Sequence, residues 1–185
     1  MPITSDKGLC GAVNSTIVRE VKKAMIGVNR SKYQIFSIGD KGTAGLTRPF
    51  PDLLKTALTQ IATPYNYPTV MAMGVTLANQ SDDFDKIVIM YNEFKSAIAY
   101  EQRSVELMTR SKFMETMSFG KLYDMKLPDK NTSNSALYEL YLTSNLWVAL
   151  LQNATSEQSS RMQAMENASK NAAEMADKLQ MKYNK

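Results

Sequence analysis

Histidine is absent from the 185-residue sequence, and this one gap removes a large part of enzyme chemistry. No Ser-His-Asp triad, Cys-His pair, HExxH zinc site or histidine base can be assembled. Cysteine occurs once, at Cys10, which excludes an intrachain disulfide and any CxxC redox or zinc motif and fits a reducing compartment. No run reaches the roughly 18 apolar residues of a membrane span. The opening, Met1-Pro2-Ile3-Thr4-Ser5-Asp6, has no signal or transit character and reads as the end of a strand whose domain begins earlier. One-sided charge is lacking too. Lys and Arg number 22 against 18 Asp and Glu, a net +4 that argues neither for nucleic acid nor for direct membrane insertion.

What remains is a chain apolar enough, at 44%, to build a core. Its first two-thirds alternates short apolar runs with helical spacing. Residues 12–26 place Val13, Ile17 and Val21 on one helical face, and Gly27 suits the stop. Residues 33–38 form a strand candidate, 41–50 a short helix, and 52–61 and 69–79 two further helices around the 64–68 loop. KIVIMY, at 86–91, is the strongest strand pattern, and 96–100 and 103–108 are expected beside it as strands. This alternation predicts a small α/β sheet with helices on its faces.

Proline and glycine then disappear. From Ser135 to the end, 51 residues contain neither. One helix through that span would reach roughly 75 Å, and no turn residue favours a hairpin break near Thr155-Ser156. A seam of apolar and small residues runs along it through Leu137, Leu140, Trp147, Leu151, Ala154, Met165, Ala168, Ala172, Met175 and Leu179. Steps of three and four make this close to a heptad seam that needs a partner. The span holds five acidic and five basic side chains, so the +4 belongs to the α/β part.

Ser5 to Gly11 sits between a strand end and a helix start, where phosphate loops occur. It fits neither GxxxxGK[ST] nor GxGxxG, so a structural turn is the better reading, with a stand-alone nucleotide-binding domain as the alternative. Cys10 reads as a small buried hydrophobe rather than an activated thiol. Asp82, Asp83 and Asp85 lack EF-hand spacing and read as a solvated loop. The basic run Arg19, Lys22, Lys23, Arg30 and Lys32 reads as a solvated face.

Five blocks resemble, in order, the gamma subunit of rotary (F-type) ATP synthases: TSDKGLCGAVN (4–14), FSIGDKG (36–42), IMYNEFKSAIAYEQ (89–102), LYELYLTSNLWVALLQNATSEQ (137–158) and SEQSSRMQAMENASKNAAEMADKLQMKYNK (156–185). The resemblance implies a Rossmann-like α/β domain over residues 1–133, its first strand truncated. It also implies a shaft helix over 134–185 that forms half of an antiparallel coiled coil. The other half is expected before Met1, and further helical turns after Lys185. The implied function is that of a central-stalk rotor subunit, itself not an enzyme, coupling proton-driven rotation to ATP synthesis or hydrolysis on partner subunits. Implied partners are the alpha and beta catalytic subunits, small central-stalk subunits and the membrane rotor ring, with no cofactor, metal or catalytic residue in this chain. The ASKNA wording at 168–172 leans towards a mitochondrial relative over a bacterial one, placing the complex at the mitochondrial inner membrane, matrix side. Carried over residue by residue, Ser5, Asp6, Lys7, Gly8, Leu9, Cys10 and Gly11 shape the first loop. Arg161, Met162, Met165, Asn167, Ala168, Lys170, Asn171, Ala172, Met175 and Leu179 serve shaft packing or subunit contact, with Arg161 and Lys170 candidates for acidic groups on beta.

Overall fold

The computed structural model describes residues 1–61, 63–119 and 130–184. In chain order they form α1 (Val13–Ala24), a 3₁₀ turn (Arg30–Lys32), β1 (Ile35–Ile38), α2 (Asp40–Thr47), β2 (Leu54–Leu58) and α3 (Tyr67–Gln80). These are followed by β3 (Lys86–Ser96), β4 (Ala99–Met108), α4 (Arg110–Phe119) and α5 (Lys130–Tyr183). Strands β1 and β2 pair in parallel, and β3 and β4 form an antiparallel hairpin. The first residues join the two pairs. Pro2 bridges to Met90 and Ile3 to Ile38, both in parallel. The Ile3 and Thr4 amides donate to Met90 and Ile38 carbonyls at 2.8 Å each. The lateral order is therefore β2, β1, residues 2–3, β3, β4, and the opening residues do lie in a strand position.

Because strand side chains alternate, the sheet feeds two cores. Phe36, Ile38, Ile87, Ile89 and Tyr91 pack with Val70, Met73 and Leu77 of α3 and with Tyr138, Leu142, Leu146 and Leu150 of α5. Ile35 packs instead with Val18 and Val21 of α1, Leu46 of α2, and Phe50 and Leu53. Local chemistry agrees with these packings. The Asn66 side chain caps α3 by accepting from the Thr69 amide at 2.9 Å, with Pro68 in the first turn. Where α3 crosses α5, a Cβ on Gly74 would lie 2.7 Å from Thr143 Oγ1, so only glycine permits this approach.

Three expectations change. Residues 52–61 were expected as a helix but carry β2, whose residues alternate between half-buried and exposed. Apolar positions at 53, 54, 57, 58 and 61 suit a helix equally, and the free parallel edge of β1 decides for a strand. KIVIMY extends to Ser96, and the two short strands expected after it are one, β4, turning back at Ala97-Ile98. Helix α5 starts at Lys130, ahead of the expected start near Ser135, while the Pro128-Asp129 part of the preceding loop lies outside the described residues.

Helix α5 is continuous for 54 residues, about 80 Å at 1.5 Å per residue, and does not break at Thr155-Ser156. It carries two stripes. Tyr138, Leu142, Leu146, Ala149 and Leu150 are buried against the domain. About a third of a turn away, Leu140, Leu151, Met165, Ala168, Ala172, Met175 and Leu179 of the heptad seam are exposed. Leu137, Trp147 and Ala154 are half-buried, and Trp147 meets the Tyr67 ring edge-on at 5.8 Å. The sequence revealed the outer seam but not the inner stripe.

Candidate functional site

The predicted first loop and the predicted shaft helix meet. Ser5 and Cys10 are buried, while Leu9 projects into solvent at 83% exposure. The loop is closed by its own polar groups. Asn14 Oδ1 accepts from the Ser5 amide at 2.9 Å, its Nδ2 donates to Ser5 Oγ at 2.7 Å and to Cys10 Sγ at 3.2 Å, and Ser5 Oγ donates to the Lys7 carbonyl at 2.6 Å. Asp6 ties down two other segments, accepting from the Asp40 amide at 2.8 Å and the Ile61 amide at 3.2 Å. These bonds are those of a structural turn. Alongside lies an open groove of about 510 Å³ edged by Gly8, Gly11, Arg19, Lys22 and Lys41.

The long helix reaches this loop with Ser160 and Arg161. Ser160 Oγ donates to the Cys10 carbonyl at 2.7 Å. Gly11 adopts φ +60°, and a Cβ there would stand 3.0 Å from Ser160 Oγ, so the turn and the helix approach both favour glycine. Arg161 pairs with Glu157 one turn earlier, with both side chains largely buried, and reaches the Gly8 carbonyl at 3.5 Å. Nearby, burial and the carboxylates of Glu157 and Asp6 push the Tyr65 phenol up to about 12.

Deeper in, Asn92 of β3 is wholly buried. Its amide and Nδ2 donate to Asn153 Oδ1 at 3.3 and 2.9 Å, its Nδ2 also donates to the Val13 carbonyl at 3.2 Å, and its carbonyl accepts from Ser156 Oγ at 3.1 Å. The Phe94 amide donates to Gln152 Oε1 at 3.0 Å. None of Asn14, Asn92, Gln152, Asn153, Ser156 and Ser160 was singled out from sequence. The available signal was the polar run QNATSEQSSR interrupting an apolar helix.

The remaining predicted residues stand apart from this junction. Met162, Met165, Asn167, Ala168, Lys170, Asn171, Ala172, Met175 and Leu179 are all exposed on the free part of α5. Lys170 pairs with Glu166 at 2.7 Å across one exposed turn, whereas Arg161 is engaged inside the chain. Elsewhere Asp82 faces Arg110 at 3.5 Å, and among the described residues no three His, Cys, Asp or Glu side chains converge as a metal site. No described helix is long and apolar enough to cross a membrane.

The fold is thus an α/β domain that grips one end of a long helix and leaves a second apolar stripe of that helix exposed. The family model described as ATP synthase matches residues 1–185, and the chain belongs to the gamma-subunit family of the ATP synthases. It is 32% identical to the ATP synthase gamma chain of Pelagibacter ubique, over 99% of this chain and 65% of that protein. It is also 32% identical to the mitochondrial F(1) complex subunit gamma of Rattus norvegicus, over 99% of this chain and 67% of that protein. A cryo-EM structure of the Tetrahymena thermophila mitochondrial ATP synthase central stalk and c-ring contains a chain of the same fold. That chain is 44% identical, with TM-score 0.85, over 91% of this chain and 74% of its own length. The chain thus spans about two-thirds of the length of these curated relatives.

Proposed function

We propose that this chain is the domain-and-shaft portion of a central-stalk rotor subunit, which couples proton-driven rotation to ATP synthesis or hydrolysis on other subunits and carries no catalytic group itself. The observation that carries this reading is the bare second stripe of α5. An apolar seam with heptad-like steps on a helix about 80 Å long is stable in water only when another helix or a subunit wall covers it. Small residues at Ala168 and Ala172 suit the close approach of an antiparallel shaft helix. In this reading residues 1–133 are the foot and 134–185 the shaft. The partners are the alpha and beta catalytic subunits, small stalk subunits and the membrane rotor ring, at the mitochondrial inner membrane on its matrix side. Rotation of one rigid, asymmetric body among the catalytic sites then changes their affinities in turn.

A native-gel separation of mitochondrial membranes from the source, with immunodetection of this chain and an in-gel ATPase stain, tests the proposal. Co-migration with the active ATPase is expected. Migration near its own mass of 20.7 kDa would overturn the rotor reading.

A further inference from the structure

Strand β3 presents every second backbone amide to its inner edge. At Met90 that edge is taken by residues 1–3, whose backbone bonds with Met90 in both directions. Past Met90 the opening segment leaves β3, and the Ser5 amide donates to Asn14 Oδ1 instead. Among the described residues no strand replaces it, and Asn92 and Phe94 would be left with unpaired backbone groups inside the fold. Side chains of α5 take the strand's place. Asn153 accepts from the Asn92 amide, Ser156 donates to the Asn92 carbonyl and Gln152 accepts from the Phe94 amide. One turn higher, Ser159 donates to the Ala97 carbonyl in the hairpin turn and Ser160 to the Cys10 carbonyl in the first loop.

Five side chains within nine residues of helix therefore bond to the backbone of two separate segments, residues 92–97 and the first loop. Below them the contact is apolar, through Tyr138, Leu142, Leu146 and Leu150. The two kinds of contact differ in what they resist. Apolar side chains are held by non-directional attraction, so a small turn of the helix exchanges one contact for a similar one. A hydrogen bond to a fixed backbone atom is directional, and a buried group that loses it finds no water in exchange. Asn92 and Ser156 are both 0% exposed, and Asn153 is 1% exposed.

We propose that Gln152, Asn153, Ser156, Ser159 and Ser160 form a collar that fixes the rotational register of α5 on the domain, and that they are positioning residues for passing torque between shaft and foot. This rests on the rotor reading above. The test uses the intact ATP synthase carrying the full subunit. N153L/S156V removes the collar's buried bonds and puts bulkier apolar groups in their place, whereas L146A loosens the apolar contact without touching them. Two quantities are read: protons pumped per ATP hydrolysed, and the distance distribution between spin labels at Ile98→Cys and Glu166→Cys, both exposed positions, with buried Cys10 left in place.

Expected for N153L/S156V are hydrolysis within twofold of the original, pumping per ATP lowered at least threefold, and a broadened distance distribution. L146A should keep both the pumping ratio and the narrow distribution. If the double variant does not assemble, S159A/S160A at the half-buried rim is read in the same way. An unchanged distribution and pumping ratio in the collar variants would overturn the collar while leaving the rotor reading intact. Absence of the unmodified chain from the purified ATPase would overturn the rotor reading itself.

Discussion

Ser160 donates its hydroxyl hydrogen to the carbonyl oxygen of Cys10 at 2.7 Å, joining residues 150 apart in sequence. This bond sets the loop beside the helix where the helix leaves the domain, and Gly11 is the residue that makes room for it.

Replacing Gly11 with Ala puts a side chain at φ +60° and a Cβ 3.0 Å from Ser160 Oγ. The expected cost is about 1–2 kcal/mol, read as a lower midpoint in thermal or urea unfolding. Ser160→Ala, which removes the bond without the clash, should cost about 1 kcal/mol. A Gly11→Ala protein as stable as the original would show that the loop relaxes freely.

Leu146 lies at the centre of the inner stripe and is 0% exposed. Truncation to Ala should cost about 2–5 kcal/mol. Leu140, 51% exposed on the outer seam, should lose less than about 0.5 kcal/mol on the same change. Equal losses in denaturant unfolding would contradict the two-stripe assignment.

Met175 and Leu179 are 63% and 61% exposed, so Met175→Lys and Leu179→Lys should leave the domain's unfolding midpoint where it is. In the assembled complex the same changes place charges in the proposed seam, as Ala168→Leu and Ala172→Leu would place bulk there. Loss of co-migration with the ATPase is the expected outcome. Full assembly and coupling in all four variants would argue that the seam stays bare.

Tyr65 has its phenol held up to about 12 by burial and by the charges of Glu157 and Asp6. The neutral form is favoured in the fold, so this contribution to stability is fully present below pH 10. It declines as pH rises from 10 to 12, because the unfolded chain ionises first. Burial pushes the Tyr138 phenol up as well, so ultraviolet titration should show more than one tyrosine ionising late, and Tyr65→Phe should shrink that late step by one ring. A late step of undiminished size in Tyr65→Phe would show that Tyr65 is not part of it.

Periodicity made much of the architecture legible. The spacing of Val13, Ile17 and Val21 marks α1, the KIVIMY run marks β3, and the loss of Pro and Gly marks α5. β2 was misread because Leu53, Leu54, Ala57 and Leu58 satisfy helical spacing as well as strand pairing, and only the neighbouring edge of β1 distinguishes them. Within the junction, the loop motif and Arg161 were legible as words, but their contact was not. Asn92, Asn153 and Ser156 carry no motif. Their importance comes from an edge of β3 that the opening segment abandons, which no local pattern reports. The inner stripe of α5 was overlooked because the outer seam already accounted for its apolar residues.

The two stripes of α5 also constrain how this helix can change in length. Deleting one residue just after Arg161 would rotate everything beyond by about 100° relative to the domain, whereas losing seven from there onward would return nearly the same phase. Insertions and deletions keep collar and seam in phase only where they nearly complete whole turns, as about seven, eleven or eighteen residues do, so in the proposed rotor the spacing between collar and seam is an index mark for the helix's angular setting.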